Sequence, residues 1–329
     1  MASKYEAVHE TLNGPGDARP TAHDIIEDEQ LAGKWSDKTV LITGCSSGIG
    51  IETAKALYET GATVYGTARD LNKAMAALSS IVHSDRVHLL ELDLNSLTSV
   101  RKCANTFLAQ SSRLNVLINN AGVMATPDGR TADGFETQLG TNHLAHFLFV
   151  QLLPPTLQAS VTREFQSRIV VLSSVAHRDG EVHFDNLNLD GEYDAWKAYA
   201  QSKTANLWAA NEIERRFGSH GVHSWSVHPG GIFTGLMKHL PDDQIKAMGG
   251  NADMAKMLKS PQQGAATSVW AATAKILEGQ GGKYLEDCQR ASPTKPGGTQ
   301  LDTGYSTWAY DKGKATRLYD VSLNLVKPS

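Results

Sequence analysis

The chain has 329 residues, 41% of them hydrophobic and 20% charged, with a formal net charge of -4. That balance suits one large globular domain and excludes a protein held to nucleic acid or anionic membrane by its overall charge. Cys45, Cys103 and Cys288 are far apart and odd in number; they offer neither a disulfide framework nor a zinc spacing, which fits a reducing compartment.

Residues 1–35 are polar and include the turn-rich "NGPGDARP" and a short helical pattern in "HDIIEDEQLAG". They read as an N-terminal extension laid over a single domain spanning 36–329. "MASKYEAVHE" lacks the apolar segment of a signal peptide, and "HLAHFLFVQLL" is shorter than the roughly 20 residues a bilayer span needs. A cytoplasmic protein with no membrane span is the expectation. From Lys38 onward, β-branched runs predict strands at 39–43, 63–68, 86–93, 115–119, 167–174 and 223–230. Between them lie helical patterns, including "GIETAKALYETG", a long helix around 134–153 and another from about 197 to 217. Strands alternating with helices predict an α/β fold, a single doubly wound domain with a parallel sheet flanked by helices.

The first strand runs into "TGCSSGIG", residues 43–50, ahead of a helix. Glycine there allows a tight turn and close backbone approach to a phosphate, and the helix N-terminus offers free N–H groups. The same letters spell a rival motif, since Gly44-Cys45-Ser46-Ser47-Gly48 matches the G-x-S-x-G elbow of serine hydrolases. Position argues against it. A hydrolase elbow sits after several strands and takes oxyanion donors from an earlier loop, whereas this turn follows the first strand, with no earlier strand to build that loop. At the end of the second strand, "VYGTARD" places Ala68 where an NAD site usually carries Asp or Glu, with Arg69 next. A guanidinium there pairs with a 2′-phosphate, which a carboxylate would repel. Asp70 takes the ribose role instead if the alignment slips by one residue.

Further motifs follow in order: "LDL" (92–94), "NNAGV" (119–123), "TNHLAHF" (141–147), "VVLSS" (170–174) and a Tyr-x-x-x-Lys. With the glycine turn, this set resembles the short-chain dehydrogenase/reductase superfamily. "ITGCSSGIGIETAKAL", "TARD", "LSSVAH", "YAQSKTAN" and "VHPGGIFT" resemble its retinol-dehydrogenase-like and WW-domain-oxidoreductase-like branch, over about 37–235. The resemblance implies a Rossmann-type fold binding NADP(H). Gly44, Ser46, Ser47, Gly48, Ile49 and Gly50 would cradle the pyrophosphate and Arg69 the 2′-phosphate. Asp93 and Leu94 would lie by the adenine, and Asn120, Ala121 and Gly122 under the ribose. Pro229, Gly230, Ile232 and Thr234 would face the nicotinamide carboxamide. Asn142, Ser174, Tyr199 and Lys203 would form a catalytic tetrad, with Tyr199 and Lys203 also touching cofactor and Asn142 holding a proton-relay water.

Three Tyr-x-x-x-Lys pairs compete for that role: Tyr193/Lys197, Tyr199/Lys203 and Tyr310/Lys314. Leu207, Ala210, Ile213 and Phe217 recur at helical spacing, which puts Tyr199 and Lys203 in the opening turns of a long helix. Tyr193 precedes it, where Glu192 and Asp194 would raise a phenol's pKa, while a lysine ammonium beside Tyr199 would lower it. Residues 234–264 suit a substrate flap, rich in apolar side chains such as Leu236, Met237 and Met254. His177, Trp196, Phe233 and Met237 are the expected pocket residues. The expected partner is a small apolar carbonyl or alcohol, with no metal and no nucleic acid, and the chain is a monomer or homodimer. An isomerase or cyclase using NADP, or a non-catalytic nucleotide-binding protein, remains an alternative on the same fold.

Overall fold

The β-branched runs become the strands β1 (Thr39–Thr43), β2 (Thr63–Ala68), β3 (Val87–Glu91), β4 (Val116–Asn119), β5 (Ser167–Leu172) and β6 (Val222–His228). Two short strands follow that the sequence pattern does not announce, β7 (Lys283–Glu286) and β8 (Gln289–Arg290). The computed structural model describes residues 4–295, 297, 299 and 302–327. Its sheet has the order β3-β2-β1-β4-β5-β6-β7-β8. All pairs are parallel except β7 with β8, which form an antiparallel hairpin at the edge. Chain direction across the sheet reverses between β1 and β4, and a crevice opens at the carboxyl ends of strands at such a point.

Eleven α-helices accompany the strands among the described residues: α1 (Ala22–Asp28), α2 (Ile49–Glu59), α3 (Leu71–Ala77), α4 (Leu97–Gln110), α5 (Ala145–Leu152), α6 (Pro154–Ala159), α7 (Ala195–Phe217), α8 (Asp242–Gly250), α9 (Ala252–Met257), α10 (Pro261–Thr273) and α11 (Lys312–Leu325). The sheet is buried on both faces. On one, Ile25 and Ile26 of α1, Leu57 of α2 and Val269 of α10 pack with Val40, Ile118 and Trp225. On the other, Phe107 of α4, Phe149 of α5, Ile213 of α7 and Tyr319 of α11 pack with Leu41, Leu117 and Ile169.

The N-terminal segment is built into the first of these cores. Thr21 and Asp24 form a reciprocal capping box that starts α1, and Tyr5 and Trp35 join Ile25 and Ile26 in the interior. Burying each isoleucine contributes about 2 kcal/mol. The helix expected around 134–153 starts later, because the Glu136 carboxylate accepts the N–H groups of Gln138 (2.8 Å) and Leu139 (2.6 Å) and thereby opens it. Its first turns, Leu139–Leu144, are wound as a π-helix before α5 begins. α7 starts at Ala195 because the Asp194 carboxylate caps the N–H groups of Trp196 and Lys197. No helix among the described residues is long and apolar enough to cross a membrane.

Candidate active site

The glycine turn leaves β1 and enters α2 at the reversal point. Gly44 has φ +78°, and a Cβ on it would sit 2.8 Å from Cβ of Ala121. A Cβ on Gly50 would fall 2.6 Å from Nδ2 of Asn120 and closer still to the Gly44 carbonyl. Gly48 is the N-cap of α2 and has no side chain to cap it, so the first N–H groups of the helix are left without a side-chain cap. Ser46 and Ile49 are half-buried in this turn and Ser47 is exposed. These residues fit a dinucleotide pyrophosphate: only glycines leave the space, and uncapped N–H groups bind anions.

Beside the turn, Asn120 donates from Nδ2 to the Thr43 carbonyl (2.8 Å) and leaves its own Oδ1 buried without a partner. Ala121 follows it, and Gly122 lies close enough to the tetrad that a Cβ there would be 3.1 Å from Oδ1 of Asn142. Asp93 accepts the Asn95 N–H (3.0 Å), and Leu94 is buried in the second core. Arg69 is exposed at the end of β2 and has no ion-pair partner among the described residues. Asp70 is already engaged, because its carboxylate caps α3 by accepting the Lys73 N–H (3.0 Å).

Opposite the turn, Pro229 and Gly230 leave β6, and Gly230 has φ +100°. Ile232 is buried against Gly264 of α10, where a Cβ would be 2.6 Å from its Cγ1. Thr234 comes within van der Waals reach of Gly48, so this loop closes over the turn.

The four tetrad residues meet where α7 crosses the ends of β4 and β5, and all four are buried. Lys203 donates from Nζ to the Leu172 carbonyl (3.2 Å), and the ammonium lies 5.4 Å from the centre of the Tyr199 ring. Ser173 turns away and donates to the Lys203 carbonyl (2.7 Å), while the Ser174 hydroxyl faces the Tyr199 phenol. The lowering of the phenol's pKa expected from Lys203 is not what this geometry gives. Burial pushes Tyr199 up to about 12, and the hydrogen bond from Ser174 offsets only part of it. Burial likewise pushes Lys203 down to about 8. The cause is the cover: Met237 and Leu240 of the flap pack with Met124, Ala125 and Ala176 around Tyr199.

Asn142 is committed to structure. Its Oδ1 accepts the Val123 N–H (2.8 Å), and its Nδ2 donates to the Val123 carbonyl (2.9 Å) and to Oγ of Ser202 (3.0 Å). The side chain clamps the 120–123 loop, which leaves only the main-chain carbonyl for a relay water. That carbonyl already receives Nδ1 of His146 (3.0 Å). Thr43, His146 and Ser202, which the motif reading passes over, thus tie the tetrad to the glycine turn. His146 stands one helical turn after Asn142, and that spacing was the available signal.

The rival tyrosines are placed elsewhere. The Tyr193 hydroxyl donates to the Thr126 carbonyl (2.7 Å), and its pKa is raised first by burial rather than by its acidic neighbours. Glu192 pairs with Lys197 (2.7 Å) and Asp194 caps α7. Tyr310 accepts the Tyr284 N–H (2.9 Å), and Lys314 pairs with Glu181.

Of the expected pocket residues, Met237 covers Tyr199, while Trp196 and Phe233 are 44% and 40% exposed at the surface. The Trp196 ring stands edge-on to Tyr199 with centroids 6.2 Å apart. His177 is a correction. It is fully buried, with Nδ1 bonded to the Ser174 carbonyl (2.7 Å) and Nε2 accepting the Ser306 N–H (3.1 Å), so it braces the serine from behind.

Known proteins are similar to this chain in sequence and fold. A family model described as short chain dehydrogenase matches residues 38–245. The chain is 50% identical over 326 residues to short-chain dehydrogenase/reductase prx1 of Penicillium roqueforti, covering 99% of this chain and 96% of that protein. It is 40% identical over 292 residues to retinol dehydrogenase 11 of Homo sapiens, covering 88% and 86%. A solved structure of an uncharacterized protein from Mycobacterium paratuberculosis is similar at a TM-score of 0.67 and 34% identity, covering 89% of this chain and 94% of that one. The chain belongs to the short-chain dehydrogenase/reductase superfamily, in its retinol-dehydrogenase-like branch, and is an oxidoreductase of Rossmann fold.

Proposed function

We propose that the protein is an NADP(H)-dependent reductase of small apolar carbonyl compounds, with Tyr199 as the general acid. The observation that carries this reading is the buried cluster of Tyr199, Ser174 and Lys203 beneath the apolar residues Met124, Met237 and Leu240. When bound, the nicotinamide supplies the hydride. Ser174 orients the carbonyl oxygen and stabilises the charge that develops on it. Tyr199, held protonated by a pKa near 12, delivers its proton to that oxygen, and Lys203 beside it favours the phenolate left behind. At neutral pH the phenol carries its proton, which is the form that the reductive direction needs.

The phosphate preference rests on Arg69 and Asp70. An exposed guanidinium with no ion-pair partner in the described residues suits a 2′-phosphate, and a carboxylate occupied as a helix cap is poorly placed to accept from a ribose hydroxyl. Apolar cover around Tyr199 suits a ketone or aldehyde of hydrocarbon character. The test is NADPH oxidation across a panel of apolar aldehydes and ketones, with Tyr199→Phe beside wild type. Turnover by wild type and a loss of about a thousandfold or more in the variant is expected. Turnover that survives in Tyr199→Phe refutes the assignment.

A further inference from the structure

The flap over Tyr199 is held at its two ends. At one end Met237 and Leu240 are buried, and at the other Leu258 and Lys259 are buried. Between Pro241 and Met257 no described side chain is buried, so these ends decide where the flap sits. The far end is tied down by the N-terminal segment. The Gly14 N–H donates to the Lys256 carbonyl (2.9 Å). Arg19 reaches the next two carbonyls, Met257 from Nη1 (2.8 Å) and Leu258 from Nη2 (2.6 Å). Nη2 also makes longer bonds to the carbonyls of Gly14 (3.1 Å) and Lys256 (3.3 Å).

Arg19 is 3% exposed, and its Nε pairs with Asp17 at 2.8 Å. Gln263 fastens the other side of the segment, donating to Asp17 and to the Arg19 carbonyl while accepting the Gly16 N–H. Burying a charge costs several kcal/mol unless its hydrogen bonds are satisfied. Here they are satisfied by carbonyls at the end of α9, which have no partner within the helix. The connection continues inward. The Lys259 N–H donates to the Gly231 carbonyl (2.8 Å), and its ammonium pairs with Asp287 (2.6 Å). Its stem fills the space beside Gly230, where a Cβ would be 2.8 Å from Cδ.

We infer that Arg19 is a positioning residue for the substrate flap: residues 13–21 form a strap that anchors the flap's far end, and the flap moves over Tyr199 against that fixed point. The activity arm of the test rests on the reductase reading, and the proteolysis arm does not. In the full-length protein, Arg19→Ala, Arg19→Lys and Asp17→Asn are compared with wild type by native-state trypsin cleavage well below the melting temperature. Cleavage at Lys246 and Lys256 reports the flap, and cleavage at Lys102 on α4 serves as the control. Arg19→Ala is expected to speed flap cleavage about tenfold relative to Lys102, the effect of losing a local closing energy of about 1.4 kcal/mol. Asp17→Asn shifts it in the same direction by less, and Arg19→Lys, which keeps the charge but not the fork, falls between wild type and Arg19→Ala. With an apolar carbonyl, KM rises about tenfold in Arg19→Ala while kcat stays within about threefold. Equal acceleration at Lys102 and at the flap, or wild-type flap cleavage in the variants, overturns the inference. If Arg19→Ala does not fold, Asp17→Asn and Arg19→Lys decide it by the same ratio. A wild-type enzyme that turns over no carbonyl refutes the reductase reading and leaves the cleavage ratio to judge the strap.

Discussion

Oγ1 of Thr43 lies 2.9 Å from Nε2 of His146, and the direction of that hydrogen bond is forced. The threonine oxygen already accepts two N–H groups, from Asn120 and Ala121, each at 2.9 Å. Its remaining capacity is its own proton, which goes to Nε2. His146 is therefore a neutral imidazole carrying its proton on Nδ1, which donates to the Asn142 carbonyl, and burial pushes its pKa down to about 4. Thr43→Val removes an acceptor for two amides and a donor to one imidazole, so a loss of about 2–4 kcal/mol is expected. Thr43→Ser restores the bonds and most of the stability. Denaturant unfolding measures both, and 15N NMR of labelled histidine reads the tautomer directly.

Arg69→Ala separates the two dinucleotides. Loss of one charge-assisted contact to a 2′-phosphate is expected to weaken NADPH binding by about tenfold or more. NADH, which has no group for that residue to hold, changes by less than about threefold. Fluorescence titration of both cofactors gives the ratio, and equal losses for both refute the role given to Arg69.

Lys203, with its pKa pushed down to about 8, is cationic at neutral pH and loses that charge as pH rises through this value. For carbonyl reduction, kcat/KM measured in the free enzyme's pH range is expected to fall above about pH 8, with Tyr199 still protonated. The same shift has a stability consequence of opposite sense. Between pH 8 and 10.5 the unfolded chain holds a proton on this lysine that the folded chain has released, so this group's contribution to stability rises with pH there. A rate profile flat to pH 10 contradicts the assignment.

Glu286 supplies an independent pH test away from the chemistry. Burial raises its pKa from 4.5 to about 7, with Asp287 adding to the rise and the Gly304 N–H opposing it. A raised folded pKa means stability that is fully present below pH 4.5 and lost as pH rises through about 7. Glu286→Gln removes that dependence. Its stability relative to wild type should climb by up to about 3 kcal/mol between pH 4.5 and 7.5, followed by thermal unfolding across that window.

Legibility in the sequence followed the chemistry of each segment. "TVLIT" and "TVYGTA" are runs rich in β-branched residues, and β1 and β2 begin and end where those runs do. β7, "KYLE", has no such run and follows two glycines, so its strand character comes from pairing with β6 and β8. Arg168 escapes pattern reading for a related reason. It lies in the middle of the sheet at 1% exposure, satisfied by the carbonyls of Ala271 and Ala274 and by Glu278, partners more than a hundred residues away. That Tyr199 lies within a long helix could be read from the periodicity of the residues after it. The pKa order of Tyr199 and Lys203 could not, since it depends on Met237 and Leu240 folding back from forty residues downstream.

The C-terminal helix α11 settles on the outer face of α5 and α7. The Ser322 hydroxyl meets Nε2 of His143 (2.8 Å), Tyr319 donates to Gln151 (2.9 Å), and the Arg216 guanidinium lies 3.9 Å over the Tyr319 ring. The helix that carries Tyr199 and Lys203 is thus braced on this face by a helix of the same chain. Cutting the chain before Lys312 would therefore bare the outer side of that helix, and the catalytic residues should lose support although none of them is removed.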